Sequence, residues 1–225
     1  MAETIFATKD INKAIRAQIK KGASTRIEGL SGQDSIAVGL SGDVKITIIG
    51  DAGDFFGALN NGPTLLLKGN SGKFLGDSMT SGKIVVTGDV TDGPGINMSG
   101  GDIIVKGKAG TRVGSGMKGG TIIIDGNVGD ELGKNLFFGD IIVTGDAGKK
   151  VGNFMSGGNI FINGNIESLG ENATSEKPDK NDKLKLTNYL TEQNIIGEFK
   201  FKKVTSTKGF ALSVIEGAYG LGGKK

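Results

Sequence analysis

The chain contains no histidine, no cysteine and no tryptophan, and only three prolines and two tyrosines in 225 residues. Without imidazole or thiol there is no histidine general base, no thiolate nucleophile, no His/Cys zinc site and no cysteine-held iron–sulfur cluster. Disulfides are excluded as well. The longest apolar runs, such as 46–49 and 65–67, fall far short of the about 20 residues that cross a bilayer. The start, MAETIFATKD, lacks a basic segment followed by an apolar one, so no secretory signal is expected and cytoplasm is the expected location. Charge of one sign is also missing. With 27 basic and 24 acidic residues the net charge is +3, a mixed surface that does not point to nucleic acid.

Glycine is abundant: 41 residues, well over twice the usual share of about 7%. It is also periodic. Gly50, Gly69, Gly88, Gly107, Gly126, Gly145 and Gly164 follow one another at intervals of 19 residues. A second ladder holds Gly57, Gly76, Gly95, Gly114, Gly133 and Gly152, and a third holds Gly82, Gly101, Gly120, Gly139 and Gly158. Apolar residues keep the same register. Met79, Met98, Met117, Leu136 and Met155 share one phase, and apolar triplets such as 103–105, 122–124 and 141–143 share another. The triplets read as short strands bounded by glycine corners.

A 19-residue unit with one strong strand is too short to bury a sheet alone and must stack on its neighbours. At about 4.8 Å per coil, the six units from 50 to 164 make a column roughly 29 Å long. The expected fold is all-β, a single-stranded right-handed parallel β-helix with 19-residue coils, flanked by a short N-terminal helix and a C-terminal helix/strand tail. The expected division is a helix cap over 1–29, the β-helix over 30–170 and a C-terminal extension over 171–225. Residues 31–50 read as a degenerate first coil. Ile11, Ala14, Ile15, Gln18 and Ile19 lie at helical spacing, with Gly22 as a stop. The polar stretch 171–182 reads as an exposed connection. After it, Leu184, Leu186, Tyr189 and Leu190 suggest a short helix, and 198–204 alternates like a strand.

Chemistry-bearing patterns are few. Residues 114–119 match G-x-G-x-x-G, but a strand rather than a helix follows, so these glycines read as corners. The row Asp51, Asn70, Asp89, Asn127, Asp146 and Asn165 could bind calcium, yet calcium rolls repeat every nine residues, and each side chain is expected to hold its own turn. Asp102 and Asp140 share a phase about 9.6 Å apart, near the wide limit of an inverting glycosidase pair. With Lys83, Thr121 and Asn159 completing the row, a solvated edge is the expected reading. Thr111, at a corner, is expected to face solvent and to accept Asp at little cost. No catalytic, cofactor-binding or metal-binding residue is assigned. The assigned features are the coil corners at the first two glycine ladders, the core ladder of Met79, Met98, Met117, Leu136 and Met155, and a candidate interface of Leu186, Tyr189, Leu190, Phe199 and Phe201. That face would dock either on the column's own flank or on a partner subunit; on the partner reading, removing 183–225 is expected to leave a soluble β-helix that assembles poorly with partners.

The run GDAGDFFG at 50–57, KGNSG at 68–72 and MKGGTI at 117–122 resembles the GXGXG domain, the β-helical third domain of glutamate synthase large subunits. It is also similar to the β-helical scaffold chain of formylmethanofuran dehydrogenase. Residues 33–40, 60–63 and 166–170 look most like the stand-alone version, in which amidotransferase, GXGXG and flavin-binding parts are separate chains, including the N-methylglutamate synthase type. The resemblance implies a non-catalytic structural subunit of an oxidoreductase complex in glutamate biosynthesis and nitrogen metabolism. This chain would itself bind no cofactor; FMN and an iron–sulfur cluster would sit in partner subunits. The implied partners are an amidotransferase-like subunit and an FMN-dependent synthase-like subunit, with a homo-oligomer also open. The formylmethanofuran dehydrogenase scaffold and an independent carbohydrate-active or ion-binding β-helix stand as alternatives.

Overall fold

Each apolar triplet finds its hydrogen-bond partners on the triplets one coil before and one coil after, which turns the period of the sequence into a ladder. In the computed structural model, which describes residues 7–207, the elements in chain order are α1 (Thr8–Lys20), β1 (Thr25–Gln33), β2 (Lys45–Ala52), β3 (Asn61–Lys68), β4 (Ser81–Val86), β5 (Asp102–Val105), β6 (Lys118–Ile124), β7 (Phe138–Val143), β8 (Asn159–Ile162), β9 (Ala173–Glu176), α2 (Lys180–Glu192) and β10 (Lys202–Ser206). Strands β1 to β8 pair in chain order and in parallel. Ile84, Ile103, Ile122, Ile141 and Ile160 stand in one register, 19 residues apart. A second seam of bridges runs from Ala52 through Ser71, Val90, Ala109, Val128 and Ala147 to Ile166. The chain is a β-solenoid.

The column starts earlier than the sequence suggested. β1 already pairs with β2, Thr25 opposite Ile46, and the register slips between Glu28 and Leu30 and again between Ser31 and Gln33. The skipped residues are Gly29 and Gly32, with φ of 86° and 93°. Two bulges lengthen this coil and take it out of the 19-residue phase.

The methionine ladder is interior: Met79, Met98, Met117 and Leu136 are fully buried and Met155 nearly so. It also accounts for the third glycine ladder. A Cβ on Gly101, Gly120 or Gly139 would stand 2.5–2.6 Å from the Cε of Met79, Met98 or Met117 on the coil before. Asn60 occupies the methionine phase in an early coil, fully buried, its Nδ2 donating to Pro63 O at 2.9 Å and Ser81 O at 3.1 Å.

The other two glycine ladders have different causes. Gly114 has φ of 63°, but Phe74, Arg112 and Lys150 adopt φ of 58–60° without being glycine. What demands glycine there is the interior, because a Cβ would lie 2.5 Å from Ile141 Cδ1. Gly88 needs no positive φ; its Cβ would meet Asn70 Oδ1 at 2.3 Å.

At the N-terminal end α1 closes the column, burying Ile11 and Ile15. Gly22, with φ of 63°, ends it: Gly22 N donates to Ile19 O and Ala23 N to Gln18 O. Within the stack, Gly57 N donates to Ile36 O and Gly76 N to Phe56 O on the coil before. Ala37 has no such coil, and its N–H donates at 2.8 Å to Asn12 Oδ1, while Asn12 Nδ2 donates to Ser35 O at 2.8 Å. Asn12 thus stands in for the missing coil. Asn12→Leu leaves both backbone groups unpaired in a part-buried place, so a loss of about 2–4 kcal/mol is expected in a denaturant titration. A loss under about 0.5 kcal/mol would refute this capping role.

Candidate functional site

Along each strand, side chains alternate inward and outward, so the middle residue of every apolar triplet points out of the column. Those residues are Val85, Ile104, Ile123, Ile142 and Phe161. An exposed row of this kind would be an apolar stripe, and strands that are apolar on both sides are strands covered on both sides. In the structure Ile104, Ile142 and Phe161 are fully buried and Ile123 is 2% exposed. They form a second core with Leu186, Leu190 and Ile195, onto which Val85, Tyr189, Phe199 and Phe201 pack.

The cover is α2, laid along the column so that roughly one helical turn meets each coil, 5.4 Å against about 4.8 Å. Lys185 Nζ donates to Asp140 Oδ2 at 3.0 Å. One turn on, the hydroxyls of Thr121 and Tyr189 hydrogen-bond at 3.2 Å. At the helix end Lys106 Nζ donates to Gln193 O, a cation on the carbonyls that the last turn leaves free.

The start of α2 is fixed as firmly. Asp182 N donates to Asp179 Oδ1 at 2.8 Å and Asp179 N to Asp182 Oδ2 at 3.1 Å, a reciprocal cap. Lys203 Nζ on β10 donates to Asp182 Oδ2 at 2.9 Å. Burial alone would raise the Asp182 carboxyl, but the hydrogen bonds from Lys203 and Asp179 and the charges of Lys203 and Lys185 outweigh it and hold it below its ordinary range. Its contribution to stability is present above the ordinary carboxylate range and is lost as pH falls through its lowered folded value.

Several expectations change here. Of the two docking places open to the face of Leu186, Tyr189, Leu190, Phe199 and Phe201, it takes the chain's own flank rather than a partner, because the outward isoleucines need covering. Phe199 and Phe201 stack at 5.5 Å, yet they precede β10 and are not part of it. The polar stretch after 170 contains β9, an antiparallel partner of β10, which also pairs with β8.

The row of Asp102, Thr121 and Asp140 is no solvated edge. Thr121 and Asp140 are buried, and Asp140 also accepts from Asn159 Nδ2 at 2.9 Å. With α2 across it, this pair has no open cleft for a sugar. Burial, together with Glu192 nearby, raises the Asp102 carboxyl despite Lys83 and Thr121. A raised folded value means that stability is lost as pH rises through it. Asp102→Asn should therefore raise the melting temperature at pH 7 by roughly 1–3 °C. The gain should vanish as pH falls to the ordinary carboxylate range; a gain of equal size at both pH values would show that ionisation is not its cause.

The Asx row does not hold its own turns, as expected from the sequence, but the next coil. Asp51 Oδ1 accepts from Asn70 N at 2.7 Å, Asn70 Oδ1 from Asp89 N at 2.8 Å and Asp146 Oδ1 from Asn165 N at 2.6 Å. A second row, Asp54, Asp92 and Asp130, does the same for Lys73, Thr111 and Lys149. One oxygen of each of these side chains is thus committed to an N–H donor of the next coil. Among the described residues no cluster of three or more acidic side chains could hold a metal ion. Thr111 is accordingly no free corner: its N and Oγ1 both donate to Asp92 Oδ1. These bonds, ahead of the opposing effect of burial, hold the Asp92 carboxyl low, and an Asp at 111 would face it.

No helix among the described residues is long and apolar enough to cross a membrane. Among the described residues the flank carries a groove of about 710 Å³ between α2 and the segment returning to β10.

Comparison with known proteins agrees with this architecture. No curated protein matches the chain. A solved structure, the formyltransferase/hydrolase complex (FhcABCD) from Methylorubrum extorquens in complex with methylofuran, contains a chain that is similar in fold. The likeness has a TM-score of 0.52 and 24% identity, and it covers 67% of each chain. The GXGXG motif family matches residues 2–182, from α1 through every coil to the first turn of α2. With its glycine ladders now placed at the corners and inner contacts of that solenoid, the chain belongs to the GXGXG motif family.

Proposed function

We infer that this chain is a non-catalytic structural subunit of a glutamate-synthase-like or N-methylglutamate-synthase-like complex. In that role it positions an amidotransferase subunit against an FMN synthase subunit in nitrogen assimilation, in the cytoplasm. FMN and an iron–sulfur cluster belong to the partners. The carrying observation is the GXGXG match over 2–182 in a chain without histidine or cysteine. A division into an N-terminal helix cap, a β-helix and a C-terminal extension from 171 belongs to this reading, with the column beginning at β1 rather than at residue 30. Ammonia passed between two active sites is lost to water unless the sites are held in fixed geometry, and a column tied by side-chain bonds from coil to coil resists bending.

A second reading is favoured by the structural likeness: a scaffold of formylmethanofuran dehydrogenase type, since the similar chain belongs to a formyltransferase/hydrolase complex. Isolation of the tagged chain with its native partners tests both. Amidotransferase and flavoprotein subunits support the first reading, formyl-transferring subunits the second. The purified chain alone should show no glutamine hydrolysis and no flavin absorbance. Stoichiometric flavin, or glutaminase activity abolished by a point substitution in this chain, would overturn the scaffold role.

A further inference from the structure

The groove on the flank is built almost wholly from residues after 182, where the family match ends, so it is an addition to the solenoid. Its walls are largely apolar, with Leu186 and Leu190 on one side and Phe199 and Phe201 on the other, beside the polar Thr187, Thr191 and Asn194. Ile196 lines it while 95% exposed, an arrangement that costs free energy unless something covers it. Among the described residues, Lys183 and Lys200 are the only charged ones in the lining. Both are exposed, and neither ammonium has an ion-pair partner among the described residues.

We propose that this groove receives a segment of an acidic partner subunit, with apolar side chains against Ile196, Phe199 and Phe201 and carboxylates on Lys183 and Lys200. This rests on the scaffold reading and gives it a contact surface. Charge complementarity chooses the occupant. The chain's own residues 208–225 offer one glutamate for the two lysines and bring three lysines of their own, and a second copy brings a net charge of +3, so neither complements the pair. A groove of about 710 Å³ takes two or three side chains of a docked strand or helix.

The test places a photo-crosslinking benzoylphenylalanine at position 196 of the full chain, isolates the assembly from its native host and measures its mass before irradiation. The linked peptides are then sequenced. The expected result is a link to a partner subunit whose peptide sets Asp or Glu within a few residues of apolar side chains. A link to 208–225, to a second copy or to a basic peptide, or no link within an intact assembly, overturns the groove proposal and leaves the scaffold reading standing. A mass showing the chain alone sinks both. In parallel, the Lys183→Glu/Lys200→Glu double variant should weaken assembly about tenfold or more at low salt and leave the melting temperature of the free chain unchanged. Unchanged assembly would also overturn the proposal.

Discussion

Met117→Asp is expected to abolish folding at 37 °C. The side chain is fully buried in a row with Met98 and Leu136, and its Cε fills the space above Gly139 on the next coil. A carboxylate there has neither water nor a cation, which costs several kcal/mol through charge burial or through the proton it must hold. The methyl contact with Gly139 is lost as well. Against a total stability of about 5–15 kcal/mol, that is enough to empty the native state. Lys118→Asp, one residue on and exposed at the start of β6, should cost under about 0.5 kcal/mol. Thermal melts followed by circular dichroism compare the two, and equal melting temperatures would show that inside and outside are wrongly assigned.

Truncation after Asp182 should yield aggregated protein rather than the soluble β-helix expected from the repeat alone. It strips the cover from Ile104, Ile123, Ile142 and Phe161 and removes Val204, which is fully buried in the main core. At about 1.5–3 kcal/mol for each large apolar side chain re-exposed, the loss approaches the whole stability of a domain. The freed stripe would also be sticky. Recovery in the insoluble fraction, or a soluble fraction that binds a hydrophobic dye strongly, is the expected outcome. A monomeric truncated chain with unchanged strand signal would mean that α2 covers nothing essential.

The sequence by itself determined the column. Its 19-residue period, the apolar triplets and the methionine phase are local and repeated, and a pattern restated at each coil is legible without coordinates. The helix before the column was equally plain, because Ile11, Ile15 and the Gly22 stop are neighbours in the chain. The opening coil was not, because bulges at Gly29 and Gly32 break the period there. The outward row of Val85, Ile104, Ile123, Ile142 and Phe161 was visible as well, and strand alternation applied to it announces that a cover exists.

Which segment supplies the cover was decided only in three dimensions. The bonds that fix it join residues 45, 68 and 87 positions apart: Lys185 to Asp140, Tyr189 to Thr121, and Gln193 to Lys106. The same holds for the Asx rows. An Asp or Asn in a corner reads locally as a turn residue, and only the stacking of coils brings the N–H of the next coil within hydrogen-bonding distance. Local chemistry repeats and can be read from the chain. Docking between distant segments happens once, and its partner is chosen by the surface that folding of the column first creates.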